Sequence, residues 1–278
     1  MVIRSMPPLL LTADLHFTPK YFEWLAAHAL EFQCIAIAGD LCDMFLDSNA
    51  PLSDELIAER GRTRETSSNV SVADQRNRIE EWLGRIARTT PVVFCSGNHD
   101  AGVWRPKNPG VSGDLSIFES ADFILVTCPW LAPVSGEIAQ VALYILQVLK
   151  TAHALSLSSK KPLLIINHVP PSSADGNAIR ISHAIRQFKP AIVGCGHEHQ
   201  SPYFAGPLVY SFKVPILNPG NPEVDAGEQF PAPNHFLLFP QDSRNNCRVD
   251  WNHLAMAPDG VFAWHTTTDA VSMQLMKG

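Results

Sequence analysis

The sequence lacks the cysteine pairs that would indicate a disulfide framework or a sulfur-based metal site. Its six cysteines are scattered singly along 278 residues without a Cys-x-x-Cys pair, and several lie in apolar runs, as Cys95 does. A thiol in such a run packs as a small hydrophobic side chain. This pattern agrees with a reducing compartment. It also predicts that any metal site in the chain is built from histidine and carboxylate.

Long apolar runs and an excess of positive charge are also missing. The apolar run at 7–11 is too short for a signal peptide or a membrane span, and no other segment approaches the required ~18 apolar residues. With 21 Lys and Arg against 27 Asp and Glu, the net charge is −6, so no overall basic field draws the chain to nucleic acid or an anionic membrane. We expect a soluble, cytoplasmic protein without a membrane or nucleic-acid partner, and the sequence leaves its oligomeric state open.

Hydrophobic residues, by contrast, are plentiful. They make up 46% of the chain, which is enough to build one large domain with a substantial core. We therefore expect a single domain over residues 1–278. The polar, irregular stretch at 46–74 predicts an excursion from that domain, in the manner of a lid.

Short apolar runs alternate with helical patterns through most of the chain. The runs predict buried strands at 9–13, 34–38, 92–95, 123–127, 163–166 and 191–193. Apolar residues at i, i+3 and i+4 predict helices at about 21–32, 79–86, 138–149 and 179–188. This alternation favours βαβ units and a parallel sheet. Short strands at 208–214, 235–239, 248–251 and 261–265 predict an antiparallel portion that completes a second sheet.

Five of the predicted strands end in Asp or His within a turn-prone segment. The segments that follow them are Asp14-Leu15-His16, Gly39-Asp40, Gly97-Asn98-His99-Asp100, His168 and Gly196-His197-Glu198-His199. In open α/β sheets this carboxyl edge is where ligands bind. One such motif alone is weak, but their joint occurrence in this order strongly indicates a functional site.

Imidazole nitrogen together with carboxylate or amide oxygen makes a mixed donor set that suits Mn, Fe, Zn, Co or Ni. A carboxylate such as Asp40 has two oxygens and can bridge two cations. Two metals about 3.5 to 4 Å apart can clamp a phosphoryl group, lower the pKa of a bridging water, and neutralise charge in an in-line displacement. These tasks fit phosphoester hydrolysis.

The motifs resemble those of the calcineurin-like metallophosphoesterases. That family's pattern of DxH, GDxxD, GNH(D/E), a single His and GHxH is matched by Asp14-Leu15-His16, Gly39-Asp40-Leu41-Cys42-Asp43, Gly97-Asn98-His99-Asp100, His168 and Gly196-His197-Glu198-His199. The resemblance spans 14–199 and implies an α/β fold, a four-layer α/β/β/α sandwich of two mixed β-sheets. It implies that one metal is held by Asp14, His16, Asp40 and His199, and the other by Asp40, Asn98, His168 and His197. Asp40 would bridge them.

The same resemblance implies two divalent or mixed-valence metal ions, with Mn the expected metal in vitro. It makes His99 the catalytic residue that approaches the scissile phosphate and helps the leaving oxygen depart, with Asp100 orienting its ring. Pairing a carboxylate with a His fixes the tautomer and favours the protonated form. Asp43 is expected to orient an imidazole that binds metal.

Two other segments have competing interpretations. Trp104, Arg105 and Lys107 follow the third motif, where an aromatic ring and two cations could hold a base and a phosphate; a solvated loop with one buried Trp explains them equally well. Asn218-Pro219-Gly220 resembles a turn common late in the family. A generic turn explains it as well.

The leading functional hypothesis is a phosphodiesterase that acts on a small or nucleotide-like substrate through a metal-bridging hydroxide. Ala101 after Asp100, and Met44-Phe45 after Asp43, differ from the Ser/Thr protein phosphatase branch. A phosphomonoesterase, a metal-dependent nuclease and a non-catalytic scaffold stay open. The acidic balance argues against the nuclease, and the presence of His99 and every ligand argues against the scaffold.

Overall fold

The computed structural model describes residues 7–49, 69–131, 137–171, 176–199, 203–205, 214–220, 233–240, 247–252, 260–267 and 270–276. The strands are β1 Leu9–Thr12, β2 Cys34–Ala38, β3 Val92–Cys95, β4 Val111–Ser112, β5 Ile117–Glu119, β6 Ile124–Cys128, β7 Leu163–Asn167, β8 Ile192–Gly194, β9 Tyr203–Ala205, β10 Ile216–Asn218, β11 His235–Pro240, β12 Cys247–Asn252, β13 Gly260–Thr267 and β14 Ala270–Met276. The α-helices are α1 Pro19–His28, α2 Val72–Ile86, α3 Glu137–Ser159 and α4 Gly176–Phe188. Short 3₁₀ turns cover Ala29–Glu31, Met44–Leu46 and Asn98–Asp100.

The strands form two mixed sheets. The first sheet has the order β14-β13-β12-β11-β1-β2-β3-β4, and the second has the order β5-β6-β7-β8-β10-β9. In the first sheet β1 to β4 are parallel and β11 to β14 are antiparallel. In the second, β6, β7, β8 and β10 are parallel, with β5 and β9 antiparallel at the edges.

Three apolar layers hold the helices and sheets together. Residues on one face of the first sheet, such as Leu10 and Phe94, pack with helices α1 and α2. Residues on its other face, such as Leu11, pack against the second sheet, whose outer face packs under α3 and α4. Because successive strand residues face opposite ways and both faces are covered, the parallel strands read as continuous apolar runs. The predicted four-layer α/β/β/α sandwich is confirmed.

The C-terminal strands differ from the sequence prediction. They were expected to complete a second sheet, but β11 pairs with β1, aligning Leu238 with Leu9, and β12 to β14 extend the first sheet from there. The physical reason is that β1 has a free edge, and pairing there buries Phe236 and Leu238 between the sheets. The strand predicted at 208–214 falls almost entirely outside the described residues.

Helix α3 also exceeds its prediction. It continues to Ser159, and its segment Gln140–Ser159 is long and apolar enough to cross a membrane by length and composition, with a mean hydropathy of 1.3. Polar side chains interrupt the segment, so it does not form the continuous apolar run that predicts a membrane span. In the structure α3 packs on the second sheet through the buried Leu149 and Ala152.

Most of the predicted lid lies outside the described residues, which resume at Asn69. The segment's two described ends are joined, since the Val70 N–H donates to the Leu46 carbonyl at 2.8 Å. Helix α2 then begins with a cap in which Ser71 Oγ accepts from the Asp74 N–H at 3.1 Å. The lid itself stays a prediction.

Candidate metal centre

Both sheets contribute to one cluster of polar side chains. Asp14, Asp40 and Asn98 follow β1, β2 and β3 of the first sheet, while His168 and His197 follow β7 and β8 of the second. The carboxyl ends of parallel strands meet at one edge. This edge therefore brings together residues that are up to 185 positions apart, from Asp14 to His199.

The backbone at this edge is strained. Asp14, His16, Asp40 and His197 have φ values of 54°, 42°, 51° and 72°, in the left-handed region that non-glycine residues rarely adopt. Such conformations cost roughly 1–3 kcal/mol each and persist where surrounding contacts impose them. Here the backbone N–H of Asp14 donates to the Gly39 carbonyl at 3.0 Å, and the backbone N–H of His16 donates to the Asp40 carbonyl at 2.9 Å. The loops after β1 and β2 thus hold each other in place.

Two glycines of the motifs lie so close to neighbouring side chains that a larger residue would not fit. A Cβ at Gly39, which has φ +88°, would overlap the ring of His168. A Cβ at Gly97 would overlap the carboxylate of Asp40 and lie 2.7 Å from its backbone nitrogen. The glycines in the GD and GNH motifs therefore make room for two of the predicted ligands.

The structure brings together the ligand set that the resemblance implies for the first metal. Ligand atoms of Asp14, His16, Asp40 and His199 all lie within 4.8 Å of one another. The two imidazole Nε2 atoms of His16 and His199 are 3.0 Å apart. These four residues could hold one metal ion.

The second implied set also converges. His168 Nε2 lies 2.7 Å from Asn98 Oδ1 and 3.2 Å from Asp40 Oδ2. His197 Nδ1 lies 3.1 Å from the same Asn98 oxygen. Since Asp40 is a member of both sets, the two candidate sites share a carboxylate.

The hydrogen-bond chemistry of these atoms fits a cation. His168 Nδ1 lies 2.9 Å from the Ala38 carbonyl, which can only accept, so the neutral ring has its lone pair on Nε2. That lone pair faces the acceptor oxygens of Asn98 and Asp40. In addition, Asp14 Oδ2 is buried without a hydrogen-bond partner. Electron pairs that converge in this way are stabilised by a proton or a metal ion at their centre.

The pKa values of two buried candidate ligands, Asp40 and His168, are shifted in opposite directions. Burial raises the pKa of Asp40, but the imidazoles of His168, His99 and His16 outweigh it and hold that pKa well below its usual range. Burial lowers the pKa of His168, while Asp40, Asp14 and the Ala38 carbonyl raise it to about 9. Without metal, the site therefore keeps Asp40 ionised and His168 protonated at neutral pH. A metal binding there displaces that proton.

His99 lies beside this cluster and is fully buried. Its ring centroid is 4.7 Å from that of His16, with the rings edge-on. The Met44 N–H donates to His99 Nδ1 at 3.3 Å, and Asp43 Oδ1 lies 3.7 Å from the same nitrogen. Because Nδ1 accepts, the neutral ring has its proton on Nε2.

Asp100 joins two loops. Its Oδ1 accepts from the Cys42 N–H at 2.7 Å and its Oδ2 from the Gly97 N–H at 2.8 Å. Burial, with the charge of Asp40, raises the pKa of Asp100. These contacts tie the segment after β2 to the segment after β3. The role of Asp100 in orienting His99 stays a prediction, whereas Asp43 lies within 4 Å of the His99 ring.

Sequence reasoning missed two adjacent residues of α2. Gln75 is fully buried; its Oε1 accepts from the Asp43 N–H at 2.8 Å, and its Nε2 donates to the Asp43 carbonyl at 2.9 Å. Arg76 donates to the carbonyls of Asp100 and Gly102. Together they hold the loops on either side of His99. The available signal was a polar Gln within the apolar stripe of a helix.

The two ambiguous segments are resolved by their contacts. Trp104 is buried and its Nε1 donates to Glu80 at 3.0 Å, so it packs in the core and does not present its ring to a ligand. Asn218 is buried, and its Nδ2 donates to the carbonyls of Gly196 and Glu198, both at 3.0 Å. The turn at Asn218 therefore holds the loop that carries the last two histidines.

The comparisons with known proteins agree with this architecture. The profile of the calcineurin-like phosphoesterase family matches residues 7–201, and the chain belongs to that family. Protein TT1561 of Thermus thermophilus is similar in structure, with 14% identity, a TM-score of 0.54, and coverage of 84% of this chain and 95% of that one. At this identity the likeness shows the fold alone.

A more distant likeness is to vacuolar protein sorting 29 from Cryptosporidium parvum. It has 12% identity and a TM-score of 0.37, over 98% of this chain and 97% of that one, which is too low to support an argument. No curated protein sequence matches the chain.

Proposed function

We propose that this member of the family is a dinuclear-metal-dependent phosphoester hydrolase, and within that class a phosphodiesterase with a small or nucleotide-like substrate. The observation that carries the proposal is the convergence of two mixed N/O ligand sets on one shared carboxylate, Asp40. Such a donor set suits Mn, Fe, Zn, Co or Ni. Mn is the metal with which we would first assay activity.

In this proposal Asp14, His16, Asp40 and His199 hold one cation, and Asp40, Asn98, His168 and His197 hold the other. When bound, a pair of cations neutralises phosphoryl charge and lowers the pKa of a water molecule. The chain's own contribution is to fix the ligands before binding. The Ala38 carbonyl orients the His168 ring. The backbone N–H of His99 donates to Asp40 Oδ1 at 2.9 Å and fixes the Asp40 carboxylate.

His99 is proposed to assist the leaving oxygen from its Nε2. In the neutral ring Nε2–H can donate a hydrogen bond to that oxygen. Full transfer of the proton requires the imidazolium form, in which Nδ1 also carries hydrogen. Asp43 Oδ1, 3.7 Å from Nδ1, is the carboxylate that can accept from it after a small movement. We therefore assign Asp43, held by Gln75, a positioning role.

The exposure of the candidate ligands indicates the side from which a substrate would enter. Asp14, Asp40, Asn98 and His168 are buried, whereas His16, His197 and His199 are partly exposed. The phosphate group is expected to reach the cluster from the side of these three imidazoles.

The test is hydrolysis of bis(p-nitrophenyl) phosphate and p-nitrophenyl phosphate by metal-stripped protein, before and after adding Mn²⁺. We expect Mn²⁺-dependent turnover with the diester preferred, and two Mn²⁺ ions per chain. His99→Ala should keep both ions and lose about 10²- to 10⁴-fold in turnover, while Asp40→Asn should lose metal and activity together.

Three outcomes would contradict parts of the proposal. Two bound ions without turnover of either substrate would favour a non-catalytic member of the family. A preference for the monoester would overturn the phosphodiesterase assignment. Equal metal loss in His99→Ala and Asp40→Asn would contradict the division between catalytic residue and ligand.

A further inference from the structure

The helical layer on the second sheet exposes several large apolar side chains. Leu143, Tyr144 and Leu157 of α3 are 68%, 49% and 66% exposed, and Ile179 of α4 is 63% exposed. These are four of the six large hydrophobic side chains that are exposed in the described part of the chain. Concentration in one layer marks this surface for contact with an apolar partner.

The same layer has a charge opposite to that of the chain as a whole. Residues 137–189, which run from the start of α3 to the residue just past α4, contain two acidic residues, Glu137 and Asp175. They contain six basic residues, namely Lys150, Lys160, Lys161, Arg180, Arg186 and Lys189. This region has a formal charge of +4, whereas the rest of the chain has −10, for the net −6. Lys150, Lys160, Arg186 and Lys189 are exposed to solvent. Lys161 forms an ion pair with Glu119 at 2.7 Å.

The orientation of the helices relates this surface to the metal centre. Helix α3 follows β6 and α4 follows β7, two parallel neighbours, so both helices begin at the edge where the ligands cluster. The exposed Leu143, Tyr144 and Ile179 lie within the first eight residues of their helices. Three of the four exposed apolar side chains are therefore at the end of the layer next to the candidate metal centre. Leu157 lies at the opposite end with Lys160 and Lys189.

From this combination we propose that the layer formed by α3 and α4 binds the surface of an anionic lipid bilayer. Apolar side chains enter the interface while cations contact acidic headgroups. A position on the surface is favoured over a spanning one because Leu149 and Ala152 of α3 pack in the apolar layer on the second sheet. A second copy of the chain is a poorer occupant, because two-fold pairing would set one basic layer against another. The net charge argued against a membrane, but the local charge reverses that argument.

The test is co-sedimentation of the full-length chain with phosphatidylcholine vesicles and with vesicles that contain 30% phosphatidylserine. We expect binding only to the anionic vesicles, and weakening by salt. Replacing Lys150 and Lys160 with Gln should lower the affinity about fivefold per cation. Replacing Leu143 and Tyr144 with Ser should also lower it at least tenfold.

Matched controls come from the helical layer on the first sheet. Leu30 is an exposed Leu there and Arg78 an exposed cation, so Leu30→Ser and Arg78→Gln should change vesicle affinity less than twofold. Circular dichroism and metal content would verify that each variant folds. Because vesicle binding requires no turnover, this result is independent of the proposed activity.

Binding to neither vesicle, or equally to both, would overturn the proposal, as would equal losses in the control variants. Sedimentation velocity tests the alternative occupant of this surface, a second copy of the chain. If the chain forms dimers that Leu143→Ser dissociates, while vesicle binding is unaffected, this surface is an interface between copies and the bilayer assignment is wrong.

Discussion

Substitution of Gly97 by Ala tests the geometry of the metal centre directly. Gly97 has φ −109° and ψ −169°, an extended conformation that alanine adopts freely. Any loss in Gly97→Ala therefore comes from the added methyl group. That carbon would overlap Asp40 Oδ1 and lie 2.7 Å from the Asp40 nitrogen and 2.9 Å from its Cγ. Ordinary contacts are about 3.5–4.0 Å, so the Asp40 carboxylate must move by about 1 Å.

The expected effect is large because Asp40 belongs to both ligand sets. Overpacking of this kind costs about 1–3 kcal/mol of stability. A misplacement of about 1 Å at a reacting centre can lower turnover on the order of 10²-fold. We expect Gly97→Ala to bind both metals more weakly, with the two affinities falling together, and to lose turnover by about that factor.

The assay is metal content by mass spectrometry across a Mn²⁺ titration, followed by turnover of the diester and thermal unfolding with and without metal. The control is Gly102→Ala, at a glycine with φ +91° and no atom within 4 Å of the added carbon. It should cost about 1–2 kcal/mol of backbone strain and retain both metals. If Gly97→Ala binds two ions as tightly as the wild type, the close approach of Gly97 to Asp40 is not what maintains the site.

Three further substitutions probe other parts of the structure. Gln75→Leu removes the partner of the Asp43 N–H and one of the two partners of the Asp43 carbonyl, which keeps the Leu46 N–H. We therefore expect kcat to fall about tenfold with metal content and KM unchanged; a change in KM alone would contradict a positioning role. Asp43→Asn removes the carboxylate that faces His99 and should lower kcat about 10- to 100-fold with both metals retained; full activity would assign the orienting role to Asp100 instead. Burial raises the pKa of Asp114 to about 7. Between about pH 4 and pH 7 this carboxyl group is therefore protonated in the folded state and ionised in the unfolded state. The stability that it contributes is fully present below about pH 4 and is lost as the pH rises through 7. Denaturant unfolding should therefore show wild type losing about 2–3 kcal/mol more than Asp114→Asn between pH 5 and 8, and parallel pH curves would contradict this.

Much of the fold could be predicted from the sequence because its signals are local. Strands β2 and β3 have their predicted bounds, since a strand buried on both faces reads as an unbroken apolar run. The motifs were recognisable because each follows such a run within a few residues. Their order along the chain was sufficient to indicate the family, the four-layer sandwich and a metal centre at the carboxyl edge.

The tertiary structure decided which distant groups meet. Gln75 lies 32 positions from Asp43, and Cys42 lies 58 positions from Asp100, so these contacts depend on loop paths that no local pattern encodes. The same holds for β11, which joins the first sheet because β1 had a free edge to fill. Periodicity indicated that α3 has an apolar side, but only the packing of the layers determined which apolar side chains were left exposed. The physical reason is that local sequence sets the form of each element, whereas contacts across the chain depend on how all the elements pack together.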